Sequence, residues 1–482
     1  MVIITNKFGC SSDSLVMGAG LAGLTAAHQL SESGKHVIVI EKNINVGGLA
    51  STISENGFRF DLGGHRFITQ DKIVDDFVKN LLEGDYLVVP RTSKILLANK
   101  YFHYPLKPFN SIFSMGVKKS LKIMTEYLSE RIKMRIPGTQ ARRQPRCLED
   151  WVIQQFGKTM FELYFKEYSE KVWGIDCKNI AKEWIEQRIQ GLSLGAAIKS
   201  ALFNKKDDKY TTLTDHFIYP HLGIGAIADK LSAHIATQNE IFTRTSVVRL
   251  NHENNQIKSA VVKQGDKNKI IEAHDYVSSV PITTLVNSLS PKPPKKVQQA
   301  VSRLRYRSLL LVTIMLDQER VTDQTWIYFP EKNIPFGRIH EPTNWSAKMA
   351  PPGKTLLVAE YFCFEQDEIW CSNDKQLTDL TIRHLQSLCL IKSQDVLGAR
   401  VLRIPHAYPL FENGFQSNCE LIGEYLEQFS NLYMTGRTGN FKYYNMDHTI
   451  GSGMDVAQEI IKKYPVARQK RPKYLAGEGV GL

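Results

Sequence analysis

The chain has 482 residues, 43% of them hydrophobic and 23% charged, with seven cysteines and a formal net charge of +12. Its length accommodates two or three domains with substantial cores, and its composition excludes disordered and fibrous classes. The cysteines, at positions 10, 147, 177, 363, 371, 389 and 419, form no CxxC pair, which argues against a disulfide framework or a zinc site and for reduced thiols in the cytoplasm.

The opening MVIITNKFGCSSDS lacks a charged leader followed by an apolar core, so it does not read as a secretory signal. Residues 15–17 (LVM) read as a short strand, GAGLAG as a turn, and 21–33 as a helix with Leu24, Ala27 and Leu30 on one face. Gly34 closes that helix, and the β-branched run HVIVI at 36–40 reads as a buried parallel strand. In this strand–turn–helix–strand order the three glycines have distinct uses. Gly18 permits the tight turn, Gly20 lets the backbone approach a pyrophosphate, and Gly23 lets helix and strand pack closely. The helix N-terminus offers free N–H groups to the phosphates. Glu41, 18 residues past Gly23, is placed to accept both ribose hydroxyls of an adenosine, and its charge disfavours a 2′-phosphate.

A second glycine-rich approach follows, in Gly47-Gly48 and in Phe60-Asp61-Leu62-Gly63-Gly64-His65. Two such approaches suit the extended FAD rather than NAD. Val247, in the strand-like SVVRL, is a further expected cofactor contact.

Between Arg91 and Arg146 there are thirteen Lys or Arg against two acids, and a second basic cluster (Arg468, Lys470, Arg471, Lys473) ends the chain. Such charge attracts an anionic substrate, an acidic membrane or a partner protein, while its ordinary reading is a solvated helix face and a tail. No recognised nucleic-acid motif accompanies it. Residues 110–205 read as mainly helical, with amphipathic stretches at 151–156 and 184–189. Strand textures fill 241–290 and 301–365, the run 309–316 reads as a buried strand rather than a span, and a final helix follows Gly451. No apolar run approaches the roughly 18 residues that cross a bilayer.

The expected fold is therefore α/β: a discontinuous Rossmann-like FAD-binding domain with an inserted helical domain and an antiparallel β-sheet substrate domain. The expected segments are 1–105, 211–295 and 401–465 for FAD, 106–210 for the helical domain, 296–400 for the substrate sheet, and 466–482 as a basic tail.

The sequence also resembles the flavoprotein superfamily of amine oxidases, protoporphyrinogen oxidases and UDP-galactopyranose mutases. GRTGNFKYYNMDHTIGSG, from Gly436 to Gly453, is similar to the segment where the mutase chain returns to the flavin. VGGLASTISENGFRFDLGGHRF, EYSEKVWGIDCKNIAKEWIEQRI and WIYFPEKNIPFGRIHEPTNWS resemble eukaryotic-type mutases in order and spacing, so the likeness runs from about residue 14 to 463. The resemblance implies that Arg188 and Arg338 grip a substrate diphosphate, with Tyr328, Tyr408 and Tyr443 around it and the sugar. It implies His65 beside the flavin ring, and Gly436, Arg437 and Asp447 at the cofactor.

The implied activity is interconversion of pyranose and furanose nucleotide sugars, with reduced flavin as covalent nucleophile, NAD(P)H only as a transient reductant and no resident metal. The rival reading is an FAD-dependent oxidoreductase, such as an amine oxidase, a desaturase or a protoporphyrinogen-oxidase-like enzyme, with a mainly apolar pocket. A flavin-binding regulatory or scaffold protein is a third. An oligomer is compatible with all three.

Overall fold

The computed structural model describes residues 2–3, 12–97, 99–103, 117–136, 144–184 and 216–464. Its centre is a five-stranded sheet in the order Glu240–Phe242, Val37–Ile40, Ser12–Met17, Ala273–Ser278, Leu432–Met434, parallel throughout. The apolar runs LVM and VIVI are buried on both faces, as the middle strands of a parallel sheet require. Ser12–Met17 extends three residues beyond the expected start because Ser12 and Ser14 still pair with Ala273 and Asp275.

Helix Leu21–Glu32 follows the glycine turn directly, and Gly34, at φ +88°, reverses the chain behind it. The last helix, Met446–Lys463, packs along it and begins five residues before Gly451, not after it. The reason lies in close approach rather than chain breaking. A Cβ on Gly453 would sit 2.4 Å from the Ala22 carbonyl oxygen, so the glycine lets two helices touch.

A second sheet pairs Thr245–Glu253, Gln256–Gln264 and Lys267–Ile271 antiparallel. The third has seven strands in the order Val396–Pro409, Tyr306–Leu316, Thr355–Cys363, Arg338–His340, Trp326–Tyr328, Ser93–Leu97, Lys100–His103. All its pairings are antiparallel except Trp326–Tyr328 with Ser93–Leu97. Strands Ser93–Leu97 and Lys100–His103 thus join this seven-stranded sheet although they precede residue 105. Val396–Pro409 likewise runs unbroken through the expected boundary at 400. Hydrogen-bond pairing, not position in the chain, decides membership. Register places Tyr328 opposite Arg338, and Arg338 opposite Glu360, in one row across three strands.

The helical insertion contains Val117–Arg135, Leu148–Phe156 and Lys166–Trp173. The stretch 185–189 that completes the expected second amphipathic helix, with Arg188, lies outside the described residues, as does the tail from 465. Among the described residues no helix is long and apolar enough to cross a membrane.

Candidate active site

The two glycine approaches meet at one end of a cavity of about 1130 Å³. Gly23 is forced by geometry: a Cβ there would stand 2.0 Å from the Gly18 carbonyl oxygen, which is backbone and cannot move aside. Gly20 caps helix Leu21–Glu32 without a side-chain hydrogen bond, so the first-turn amides stay open toward the cavity. Gly47 donates its N–H to the Ala19 carbonyl (2.7 Å), tying the second loop to the first. Glu41 is buried, and its carboxylate accepts the backbone N–H groups of Ala19 and Asn43, both at 2.9 Å. Those bonds aim the carboxylate at the glycine turn, and each oxygen retains a lone pair for a ribose hydroxyl. Gly18, Gly48 and Val247 complete this end.

Gly436 also stands beside the glycine turn, against Ala22 and Ser279, while Gly63, Gly64, His65, Trp326, Tyr328, Arg338, Tyr408, Arg437 and Tyr443 line the rest of the cavity. A Cβ on Gly64 would meet the Trp326 ring nitrogen at 2.3 Å, so only glycine lets this loop lie against the indole. The Gly64 N–H donates to Glu360 Oε1 at 3.1 Å. Glu360 is wholly buried, with Arg338 Nη2 2.6 Å from its Oε2 and His340 Nδ1 3.2 Å from its Oε1. Burial alone would raise this carboxyl; Arg338 and His340 outweigh it and hold it down at about 2. His340 stacks flat on Trp345, rings 4.8 Å apart and 7° from parallel, behind the cavity wall.

Burial lowers His65 to about 4, only partly countered by Glu360 and reinforced by Arg437 and Arg338, so its imidazole is neutral at physiological pH. Tyr408 and Tyr443 stack at 6.1 Å and 18°, and the Arg437 guanidinium lies 4.7 and 4.5 Å from their ring centres. Arg338 Nε and Arg437 Nε and Nη2 are buried with no hydrogen-bond partner among the described residues. Lys171 steadies the turn between the strands of Tyr328 and Arg338. Its ammonium donates to the carbonyls of Phe329, Glu331 and Ile334 at 2.7, 2.6 and 2.8 Å.

Two expected contacts sit back from the wall. Gly23 serves helix packing, as its geometry requires. Asp447 is buried in the first turn of helix Met446–Lys463, its Oδ1 3.1 Å from His448 Nδ1, and it is His448 that lines the cavity. Burial would raise Asp447, but the hydrogen bond with His448 holds it low. Glu360, His340, Trp326 and Lys171 escaped the sequence reading. For Glu360 the signal was present: one carboxylate inside the apolar run LLVAEYF.

The cleft fits FAD on its own geometry, through two tight glycine approaches, an uncapped helix N-terminus and a fixed carboxylate. Fold and site together define an FAD-dependent flavoenzyme. The chain belongs to the flavin-containing amine oxidoreductase family, whose profile matches residues 21–461. Among curated relatives it is 21% identical to the chloroplastic protoporphyrinogen oxidase of Nicotiana tabacum, over 83% of this chain and 76% of that one. Among solved structures it superposes on reduced UDP-galactopyranose mutase with a TM-score of 0.81 at 21% identity, covering 95% of this chain and 97% of the other. Wild-type putrescine oxidase bound to putrescine gives 0.64 at 14% identity, covering 94% and 99%.

Proposed function

We propose that the chain is a nucleotide-sugar mutase that interconverts pyranose and furanose rings. The observation that carries this reading is the meeting of Arg338 with Arg437, which we reassign from the cofactor to the substrate because both guanidinium groups flank Tyr408 and His65, alongside Tyr328 and Tyr443. An amine substrate, which binds as a cation, has no use for two guanidinium groups. A diphosphate does, because each planar fork donates to phosphate oxygens in pairs. Arg188 joins this set through the family resemblance alone.

FAD, bound in its reduced state, supplies the nucleophile for the sugar's anomeric carbon. The protein's own groups position and stabilise. Arg338 commits one nitrogen to Glu360 and keeps Nε for an anion; Arg437 keeps Nε and Nη2. A nucleoside diphosphate that leaves and returns gains negative charge on departure, and fixed guanidinium donors in a dry pocket stabilise that charge. The tyrosine rings shed water and limit the sugar's orientations. Neutral His65 exchanges a hydrogen bond without adding a third positive charge. The cycle involves no net redox change, so NAD(P)H acts only to reduce the flavin.

Titrating the FAD-loaded protein with UDP, dTDP and GDP, followed by flavin absorbance, tests the reading. Saturable binding of one of them is expected, weakened roughly tenfold or more in Arg338→Ala, the cost of about 1.5–3 kcal/mol for a lost charged hydrogen bond. No binding of any nucleotide counts against it.

One observation favours an oxidoreductase instead. Glu360 already neutralises Arg338 and shares it with the Gly64 loop, an arrangement that serves equally to stiffen a cofactor site. In that reading the substrate is oxidised and Arg338→Ala leaves nucleotide affinity unchanged.

A further inference from the structure

Helix Val117–Arg135 turns its more apolar face outward. Leu121, Met124, Leu128 and Ile132 recur at helical spacing and are 65%, 46%, 54% and 60% exposed. The opposite face, which packs on helix Leu148–Phe156 and its neighbour, holds Ile123 and Tyr127 together with polar fasteners. Glu126 accepts the Thr159 N–H (2.6 Å) and hydroxyl (2.9 Å), and Arg131 Nη2 donates to Gln155 Oε1 (3.0 Å). A surface helix ordinarily does the reverse, sending its apolar stripe inward. Four large apolar side chains in one exposed row are also more than the scattered single residues of an ordinary surface.

The charge around the stripe indicates what meets it. Residues 117–135 carry six Lys or Arg and two Glu. Lys122 and Lys133 are themselves well exposed, each beside one of those glutamates. A second copy of the same helix, docked stripe to stripe, would bring two net-positive segments together. An anionic surface is attracted instead. A 19-residue helix is about 28 Å long, enough for four turns to lie flat with the apolar row below and the cations level with headgroups.

We propose that helix Val117–Arg135 is a peripheral docking surface for an anionic lipid bilayer, with Leu121, Met124, Leu128 and Ile132 entering the headgroup–acyl boundary. The helix lies on the bilayer and does not span it. It belongs to the inserted helical region, away from the residues lining the FAD cleft, so docking and cofactor binding are separable.

The test mixes the FAD-loaded full-length protein with vesicles of phosphatidylcholine alone or of phosphatidylcholine with phosphatidylglycerol, and reads partition by flotation. Binding to the anionic vesicles is expected, weaker by on the order of tenfold or more on neutral vesicles and in high salt. The double variant Leu128→Gln/Ile132→Gln is expected to lose partition by a similar factor while keeping its flavin absorbance and thermal midpoint. Should that variant fail to fold, Leu121→Gln/Met124→Gln replaces it.

No flotation, or equal flotation with both vesicle types, overturns the proposal. So does a dimer in sedimentation velocity that the double variant dissolves, which would assign the stripe to a second copy. Loss of thermal stability in the variant, with no vesicle binding by the wild type, would assign it to another segment of the same chain and equally overturn the proposal.

Discussion

Arg338 and Glu360 face each other across two antiparallel strands with 2.6 Å between Nη2 and Oε2, and the same carboxylate accepts the Gly64 N–H from the cofactor loop. One buried anion thus ties the strand of Arg338 to the loop beside His65. Glu360→Gln keeps an acceptor for Gly64 but leaves a guanidinium without its counter-charge. The variant is expected to lose roughly 3 kcal/mol of stability at neutral pH. Because the folded carboxyl is held near 2, below its ordinary 4.5, the stabilisation is present above 4.5 and disappears as pH falls toward 2. Urea midpoints of both proteins should therefore converge over that window; a gap that stays constant with pH would reject the ion pair as its source.

Gly23→Ala is expected to abolish FAD retention. The added methyl would stand 2.0 Å from the Gly18 carbonyl oxygen, so the glycine turn must open to relieve the clash and the helix N-terminus shifts with it. The ratio of flavin to protein absorbance after purification measures this. Wild-type occupancy in the variant would mean that the close approach is not what shapes the turn.

His65 titrates near 4 in the folded protein, below its ordinary 6.5. Between those values the unfolded chain binds more protons, so stability rises with pH across the window and is lost as pH falls from 6.5 to 4. His65→Gln should remove that part of the slope, on the order of 2 kcal/mol between pH 7 and 5. Parallel denaturation curves for the two proteins at both pH values would show that the imidazole is not enclosed as described.

Lys171 reaches four carbonyls of the turn joining the strands of Tyr328 and Arg338, those of Phe329, Glu331, Ile334 and Phe336. Lys171→Met fills similar volume but leaves those acceptors unanswered, at a cost of about 1–3 kcal/mol. If the turn sets the Tyr328–Arg338 register, nucleotide affinity falls along with stability while flavin content is unchanged. Lower stability with unaltered affinity would confine Lys171 to folding.

The cofactor end was legible in the sequence because its determinants are local: strand, glycine turn, helix, strand and Glu41 fall within a few dozen residues. Tyr328 and Arg338 were placed by the segments that carry them. Glu360 was not, since its role comes from register with Arg338 and from Gly64, 296 positions away in the chain. The last helix was expected after Gly451 but starts at Met446, because the contact of Gly453 with the distant Ala22 carbonyl leaves no local pattern. Asp447 was placed at the cofactor, yet one residue's advance along the helix turns His448 to the cavity instead.

The most direct test is an anaerobic turnover assay. The FAD-loaded protein, reduced with dithionite, is offered UDP-, dTDP- and GDP-hexopyranoses, and products are resolved by chromatography. A furanose product that forms only with reduced flavin and is lost in Arg338→Ala is expected. Absence of any furanose from the whole panel, with amines or porphyrinogens oxidised under air, would contradict the mutase reading.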